Sequence, residues 1–155
     1  MSETWIGITV SGSDITLVNL QFGNNDECVL NDDLTWSLQK GERAAAYAVM
    51  YSTVLNYLKE NSIDKVVIKK SALSREGINQ SHLDAAELRG VVMAAAAKSS
   101  CETRVISKAH ASRTFGKRNT DEYVKDEIFW TDKSLVPKLR KGSREAAFLI
   151  FAARK

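Results

Sequence analysis

The chain opens with two apolar runs joined by a short polar turn. Residues 5–10 and 15–22 are rich in β-branched side chains, and each run predicts a strand. Residues 11–14 supply the turn, because glycine tolerates positive φ and aspartate bonds its own backbone. A third strand is expected between 27 and 38, where Asn31, Asp32 and Asp33 indicate a loop or a bulge. The chain therefore begins as an antiparallel meander.

Helical spacing replaces this pattern further along the chain. A helix over 41–59 is predicted from one apolar stripe, which comprises Ala44, Tyr47, Ala48, Tyr51, Val54, Leu55 and Leu58. A buried strand at 63–69 follows, and after a polar loop Ser81 and Asp84 are expected to cap a second helix.

A short strand at 102–106 leads to a short basic helix capped by Ser107, and Ser143 is expected to cap the last helix, 144–153. The order β-β-β-α-β-α-β-α-α predicts an α/β fold in which helices flank a mixed sheet.

Size and composition limit the classes of protein that fit this pattern. At 155 residues the chain, 1–155, is expected to form a single domain with a core of its own. It contains no apolar run long enough to cross a bilayer and no signal segment, so a cytoplasmic location without membrane contact is expected. Cys28 and Cys101 lack metal-ligand spacing, and two histidines are too few for a histidine-rich metal site.

Charge is distributed unevenly along the chain. Residues 1–60 carry 3 basic and 8 acidic side chains, whereas residues 61–155 carry 19 basic and 11 acidic ones. A solvated surface would explain this asymmetry. A basic face for a polyanion, above all nucleic acid, would explain it equally well.

Short strings along almost the whole chain carry a resemblance to a known superfamily. They are Trp5-Ile6-Gly7-Ile8, Val66-Val67-Ile68, Leu88-Arg89-Gly90-Val91-Val92, Val105-Ile106 and Arg144-Glu145-Ala146-Ala147-Phe148. With this order of elements, the chain resembles the ribonuclease H-like superfamily and, within it, the RuvC-type Holliday-junction resolvases. It resembles still more closely a small bacterial family of RuvC-like domains. The resemblance implies a mixed five-stranded sheet flanked by helices.

The resemblance also implies where catalytic residues would stand. Such nucleases hold two Mg²⁺ ions between carboxylates. The first-strand aspartate position of the resolvases is Thr9 here, and the fourth-strand glutamate position is Lys69. The two acids of the last helix fall near Ser143 and Ala146, with Glu145 the carboxylate close by. The ammonium of Lys69 would repel Mg²⁺ and is expected to pair with Glu145 instead. Compared with the resolvases, the chain is therefore expected to have a degenerate site that holds no metal ion.

The leading hypothesis is a catalytically inactive RuvC-like domain that binds nucleic acid, DNA ahead of RNA. Its basic surface would comprise Lys69, Lys70, Arg75, Lys108, Arg113, Lys117, Arg118, Lys138, Arg140, Lys141 and Arg144.

Two alternatives remain open. One is a protein-interaction or assembly module, with a protein partner or a homodimer. The other is a metal-dependent nuclease with rearranged carboxylates, for which Mg²⁺ would be the cofactor. The inactive nucleic-acid-binding domain and the protein-interaction module need no cofactor.

Overall fold

A computed structural model describes residues 2–73 and 76–155. Five strands and six helices follow one another in these residues, and a 3₁₀ turn at Lys141–Ser143 leads into the last helix. The strands are β1 (Glu3–Val10), β2 (Asp14–Phe22), β3 (Cys28–Ser37), β4 (Lys65–Lys69) and β5 (Glu102–Ile106). The helices are α1 (Arg43–Glu60), α2 (Gln80–Lys98), α3 (Lys108–Arg113), α4 (Thr120–Lys125), α5 (Glu127–Asp132) and α6 (Arg144–Ala153).

The strands form one mixed sheet in the order β3-β2-β1-β4-β5. The opening meander pairs antiparallel, while β4 and β5 run parallel to β1. Consequently β1, β4 and β5 all end at the same edge, which we call the carboxyl edge. The predicted mixed five-stranded sheet flanked by helices is confirmed.

Each face of the sheet has its own core. Trp5, Val18 and Val67 pack with α6 and the short helices on the front face, whereas Ile6 and Ile68 pack with α1 and α2 on the back. This division follows from the period of two along a strand, which sends neighbouring side chains to opposite faces.

Gly7 lets α6 lie directly on the central strand. A Cβ placed on Gly7 would overlap the carbonyl oxygen of Ala146 and would lie 2.9 Å from its carbonyl carbon. The first turn of α6 is therefore fixed against β1 by backbone contact, and this contact positions the residues at the start of that helix.

Two sequence expectations need correction at the helices. The buried residues of α1 are Ala46, Met50, Val54 and Leu58, whereas Ala44 and Ala48 are exposed. Alanine was a poor marker of the buried stripe because its small apolar area contributes little on burial.

The predicted cap of α2 is also wrong, whereas Ser143 stands at the cap position of α6, as predicted. Helix α2 begins earlier than expected, and the Asn79 side chain accepts a hydrogen bond from the backbone amide of His82 instead of Ser81 pairing with Asp84. The Ser143 side chain accepts no hydrogen bond from the first-turn amides of α6, and its hydroxyl donates to Asp33. The Ser107 cap is confirmed by its bond from the His110 amide.

The uncertain third strand is continuous and contains a bulge. Asn19 pairs with Asp32 and Leu20 pairs with Leu30, so Asn31 is the extra residue. Beyond the bulge, Asp33 and Thr35 lie on the front face, toward the carboxyl edge. Within 2–73 and 76–155, no helix has both the length and the apolar character that crossing a membrane requires.

Candidate functional site

The candidate site lies on the front face at the carboxyl edge of the sheet. Ile8 and Ile68 form the last pair between β1 and β4, and Thr9 and Lys69 are the next residues of those strands. Both have the parity of Gly7 and Val67, which places them on the side of α6. The start of α6 above Gly7 brings Glu145 to the same place.

Lys69 and Glu145 form an ion pair that joins the sheet to α6. The Lys69 Nζ donates to the Glu145 Oε1 at 2.7 Å, as the resemblance implied. About a quarter of each side chain is exposed, 25% for Lys69 and 22% for Glu145, so water screens the pair only in part.

A second ammonium extends this pair toward α4. Lys108 lies 3.9 Å from the Glu145 Oε2 and 2.8 Å from the Asp121 Oδ1. The hydrogen bond from Lys108 holds the pKa of Asp121 below its usual range. Lys69, Glu145, Lys108 and Asp121 thus form an alternating chain of two cations and two anions.

A second charged cluster lies beside the first, where β3 meets the start of α6. Arg140 donates to Asp33 from its guanidinium at 2.8 Å and from its backbone amide at 2.9 Å, and Ser143 donates to Asp33 at 2.5 Å. Burial alone would raise the pKa of Asp33, but these hydrogen bonds outweigh it and lower the pKa. Asp33 is therefore an occupied carboxylate that ties the sheet to α6.

Hydroxyl groups line the sheet between these two clusters. Thr9 pairs with Thr16 on β2, and Thr16 pairs with Thr35 on β3. The Thr35 hydroxyl also accepts a hydrogen bond from Arg140. A row of three threonines therefore crosses the front face just below Ser143, where it offers hydroxyl groups but no carboxylate.

The predicted basic surface is brought together only in part. Lys69, Lys108 and Arg140 belong to the two clusters, and Lys70 follows β4 at the same edge. The remaining exposed members lie on the segments around α3 to α5 and before α6: Arg113, Lys117, Arg118, Lys138 and Lys141. Of these, Arg118 pairs with Asp126 at 2.9 Å. Arg75 lies outside the described residues.

Arg144 does not belong to the surface, which corrects the sequence-based assignment. Only 3% of Arg144 is exposed, and its guanidinium makes two 3.0 Å hydrogen bonds to Glu127 and one to the Val124 carbonyl. Its place on the inner side of α6 turns this cation inward, where it ties α6 to α4 and α5.

The residues at the candidate site do not suit Mg²⁺, which requires oxygen ligands that are not already neutralised. Glu145 accepts a hydrogen bond from Lys69 and lies 3.9 Å from the Lys108 ammonium. Asp33 accepts hydrogen bonds from Arg140 and Ser143. Ala146 contributes no side-chain donor. Among residues 2–73 and 76–155, no group of three or more His, Cys, Asp or Glu is arranged to hold a metal ion.

Sequence reasoning missed Asp33, Thr35 and Asp121 as members of the site. The alternation Asp33-Leu34-Thr35-Trp36-Ser37 was a usable signal, because period-two alternation predicts a strand with one polar face. The neighbouring Asn31-Asp32 obscured it. No local pattern marked Asp121, since its partner Lys108 stands on another helix.

Comparison with solved structures identifies the fold. The structure of Thermus thermophilus RuvC aligns with this chain with a TM-score of 0.76 and 13% sequence identity. The alignment covers 99% of this chain and 96% of the RuvC chain. The same protein in complex with a Holliday junction substrate matches with TM-score 0.70 and 16% identity over the same shares. The yeast mitochondrial Holliday junction resolvase Ydc2 covers 97% of this chain and 77% of its own, with TM-score 0.64 and 11% identity.

The comparisons with sequences found nothing similar. No protein-family model and no curated protein matches the chain. The structural matches confirm the fold expected from the resemblance: the chain has a RuvC-like, ribonuclease H-like fold.

Proposed function

We propose that this protein, as a single domain, binds nucleic acid at the carboxyl edge without cleaving it. The ion pair between Lys69 and Glu145 carries this proposal, because an ammonium at 2.7 Å occupies the carboxylate that a metal ion would need. Lys69 stands where the resolvases, by the resemblance, carry a glutamate. A site held together by its own cations does not recruit two Mg²⁺ ions for phosphate cleavage.

Nucleic-acid binding is supported by charge at the same edge. Lys69, Lys70, Lys108 and Arg140 lie around it, and Lys138 and Lys141 lie on the segment that leads to α6. Lysine and arginine neutralise backbone phosphates and release counterions, which gives affinity without sequence preference. The RuvC structure solved with a Holliday junction has this fold, which makes branched DNA the first ligand to test.

The experiment is a binding titration by fluorescence anisotropy on branched DNA, duplex DNA and single-stranded RNA at two salt concentrations. We expect salt-sensitive binding, with DNA bound more tightly than RNA. The double variant Lys138→Gln/Lys141→Gln removes two exposed cations that Glu145 does not hold. It should weaken binding and flatten the salt slope by about 2, since each lost phosphate contact removes about 0.9. Lys98→Gln, at the exposed end of α2 on the opposite edge, is the matched control.

A parallel incubation with Mg²⁺ or Mn²⁺ tests inactivity. We expect intact substrate in every lane. Metal-dependent cleavage that Glu145→Ala abolishes would contradict the proposal and would favour a nuclease with rearranged carboxylates. Absence of binding at low salt, together with a defined oligomer or a co-purifying protein, would favour the assembly module.

A further inference from the structure

A cleft on the other side of Lys69 contains an unpaired cation. It has a volume of about 350 Å³ and lies between the β1–β2 turn, the segment after β4 and the start of α2. Its lining includes Gly12, Lys70, Ser71, His82 and Arg89. Gly12 brings the turn close to the first turn of α2, because a Cβ at Gly12 would lie 3.3 Å from the Ser81 hydroxyl.

Arg89 is buried at this cleft without a counterion. Only 8% of it is exposed, and no carboxylate of the described residues lies within 4.0 Å of its guanidinium. It donates to the Ser71 hydroxyl and, at 3.4 Å, to the Val10 carbonyl, while its Nε has no partner among the described residues. Arginine has five N–H donors, so three of them are not used by these bonds.

A buried guanidinium without a carboxylate beside it would be stabilised by a bound anion. Burial lowers the pKa of Arg89, which reflects the cost of holding a cation away from water. Lys70 adds a second positive charge at the rim, and the amino end of α2 adds the positive end of a helix dipole. The walls supply hydroxyl groups rather than carboxylates.

We propose that the cleft between the β1–β2 turn and α2 binds a phosphate group through Arg89, Lys70 and Ser71. The cleft lies on the α2 side of the sheet and does not use Glu145. The phosphate comes from a nucleic-acid backbone or from a small phosphate ester, and the proposal rests on the proposed function only in the first case.

The test is thermal unfolding of the full chain in inorganic phosphate, with chloride at matched ionic strength as reference. The melting temperature of the wild type should rise with the logarithm of phosphate concentration above the dissociation constant. Ser71→Asp places a carboxylate beside Arg89, which should raise the melting temperature without phosphate and remove the phosphate response. Ser52→Asp makes the same charge change on the exposed face of α1 and should retain the response.

A milder variant guards against indirect effects. Lys70→Gln should weaken phosphate affinity about tenfold, as expected for one charged contact, and leave the unliganded melting temperature unchanged. A wild type that shows no phosphate response beyond chloride would overturn the proposal. So would an equal response in Ser71→Asp and Ser52→Asp, since Arg89 would then be a structural bridge alone.

Titrations with duplex DNA and with a mononucleotide 5′-phosphate identify the source of the phosphate. If Ser71→Asp weakens DNA binding about tenfold more than Ser52→Asp, the backbone supplies the group. If Ser71→Asp loses only the binding of the mononucleotide, a small phosphate ester supplies the phosphate group. Either result supports phosphate binding in the cleft. A phosphate response in a protein that binds no nucleic acid would overturn the proposed function alone, and DNA binding without a phosphate response would overturn the cleft alone.

Discussion

The ion pair between Lys69 and Glu145 makes a prediction that runs against intuition for a nuclease-like site. Glu145→Gln keeps the shape of the side chain and removes its charge, so the Lys69 ammonium loses its partner at 2.7 Å. In an active two-metal site, loss of a carboxylate weakens metal binding and activity. Here we expect the opposite for nucleic acid, because phosphate and Glu145 compete for the same cation.

The magnitude follows from one freed ammonium. A charge-assisted hydrogen bond to phosphate contributes about 1.5 kcal/mol, which corresponds to about tenfold tighter binding at about 50 mM salt. One added phosphate contact steepens the salt slope by about 0.9, so the advantage falls to about threefold at about 200 mM salt. The fold should lose about 1–3 kcal/mol, since the pair is neither fully exposed nor fully buried.

The assay is anisotropy with labelled duplex and branched DNA at both salt concentrations, alongside urea unfolding. Glu60→Gln is the matched control, because it removes the same charge at the exposed end of α1, away from the carboxyl edge. An affinity and a salt slope equal to those of Glu60→Gln would refute the reasoning, since Lys69 would then make no contact with phosphate.

Three further predictions concern the framework of the site. Gly7→Ala should cost at least about 3 kcal/mol in urea unfolding, because its Cβ meets the Ala146 backbone, whereas Gly90→Ala, which meets nothing within 4 Å on α2, should be neutral or stabilising. Arg144→Met should cost about 3 kcal/mol because it leaves the Val124 carbonyl without its donor, yet DNA affinity of the folded protein should stay unchanged. The lowered pKa of Asp33 means that its contribution to stability is present above the ordinary value of about 3.9 and is lost as the pH falls through the lower folded value. The difference in unfolding free energy between wild type and Asp33→Asn should therefore shrink between about pH 6 and about pH 3, and a constant difference would contradict this reasoning.

The framework of the fold was predictable because period and turn chemistry are local. The apolar runs of β1 and β2, the turn between them and the order of the five strands follow from neighbouring residues. The predicted order has two helices after β5, whereas the structure has four, because α4 and α5 are separate short helices. The pairing of Lys69 with Glu145 was also within reach, but only through the resemblance, since 76 residues separate the two.

Other features depend on contacts that no local pattern encodes. Arg144 follows a basic segment, which predicts a surface cation. It is buried instead, because Glu127 and the Val124 carbonyl accept hydrogen bonds from its guanidinium. Arg89 lies on the buried stripe of α2 beside Leu88 and Val92, which was a sign that this cation has a special environment. Ser143 stands at the cap position of α6, but its hydroxyl donates to Asp33, which lies 110 residues away in the sequence.

The charges at the carboxyl edge are arranged differently from those of a carboxylate cluster that binds metal ions. A cluster of carboxylates has excess negative charge and gains stability from divalent cations. Here Lys69 and Lys108 balance the charges of Glu145 and Asp121 within the chain. Among the described residues, no carboxylate lies within 4.0 Å of the charged groups of Arg89 and Lys70, so the surface around them carries excess positive charge. The proposed function therefore predicts that this edge binds phosphate rather than metal ions, and the response of Glu145→Gln tests that prediction.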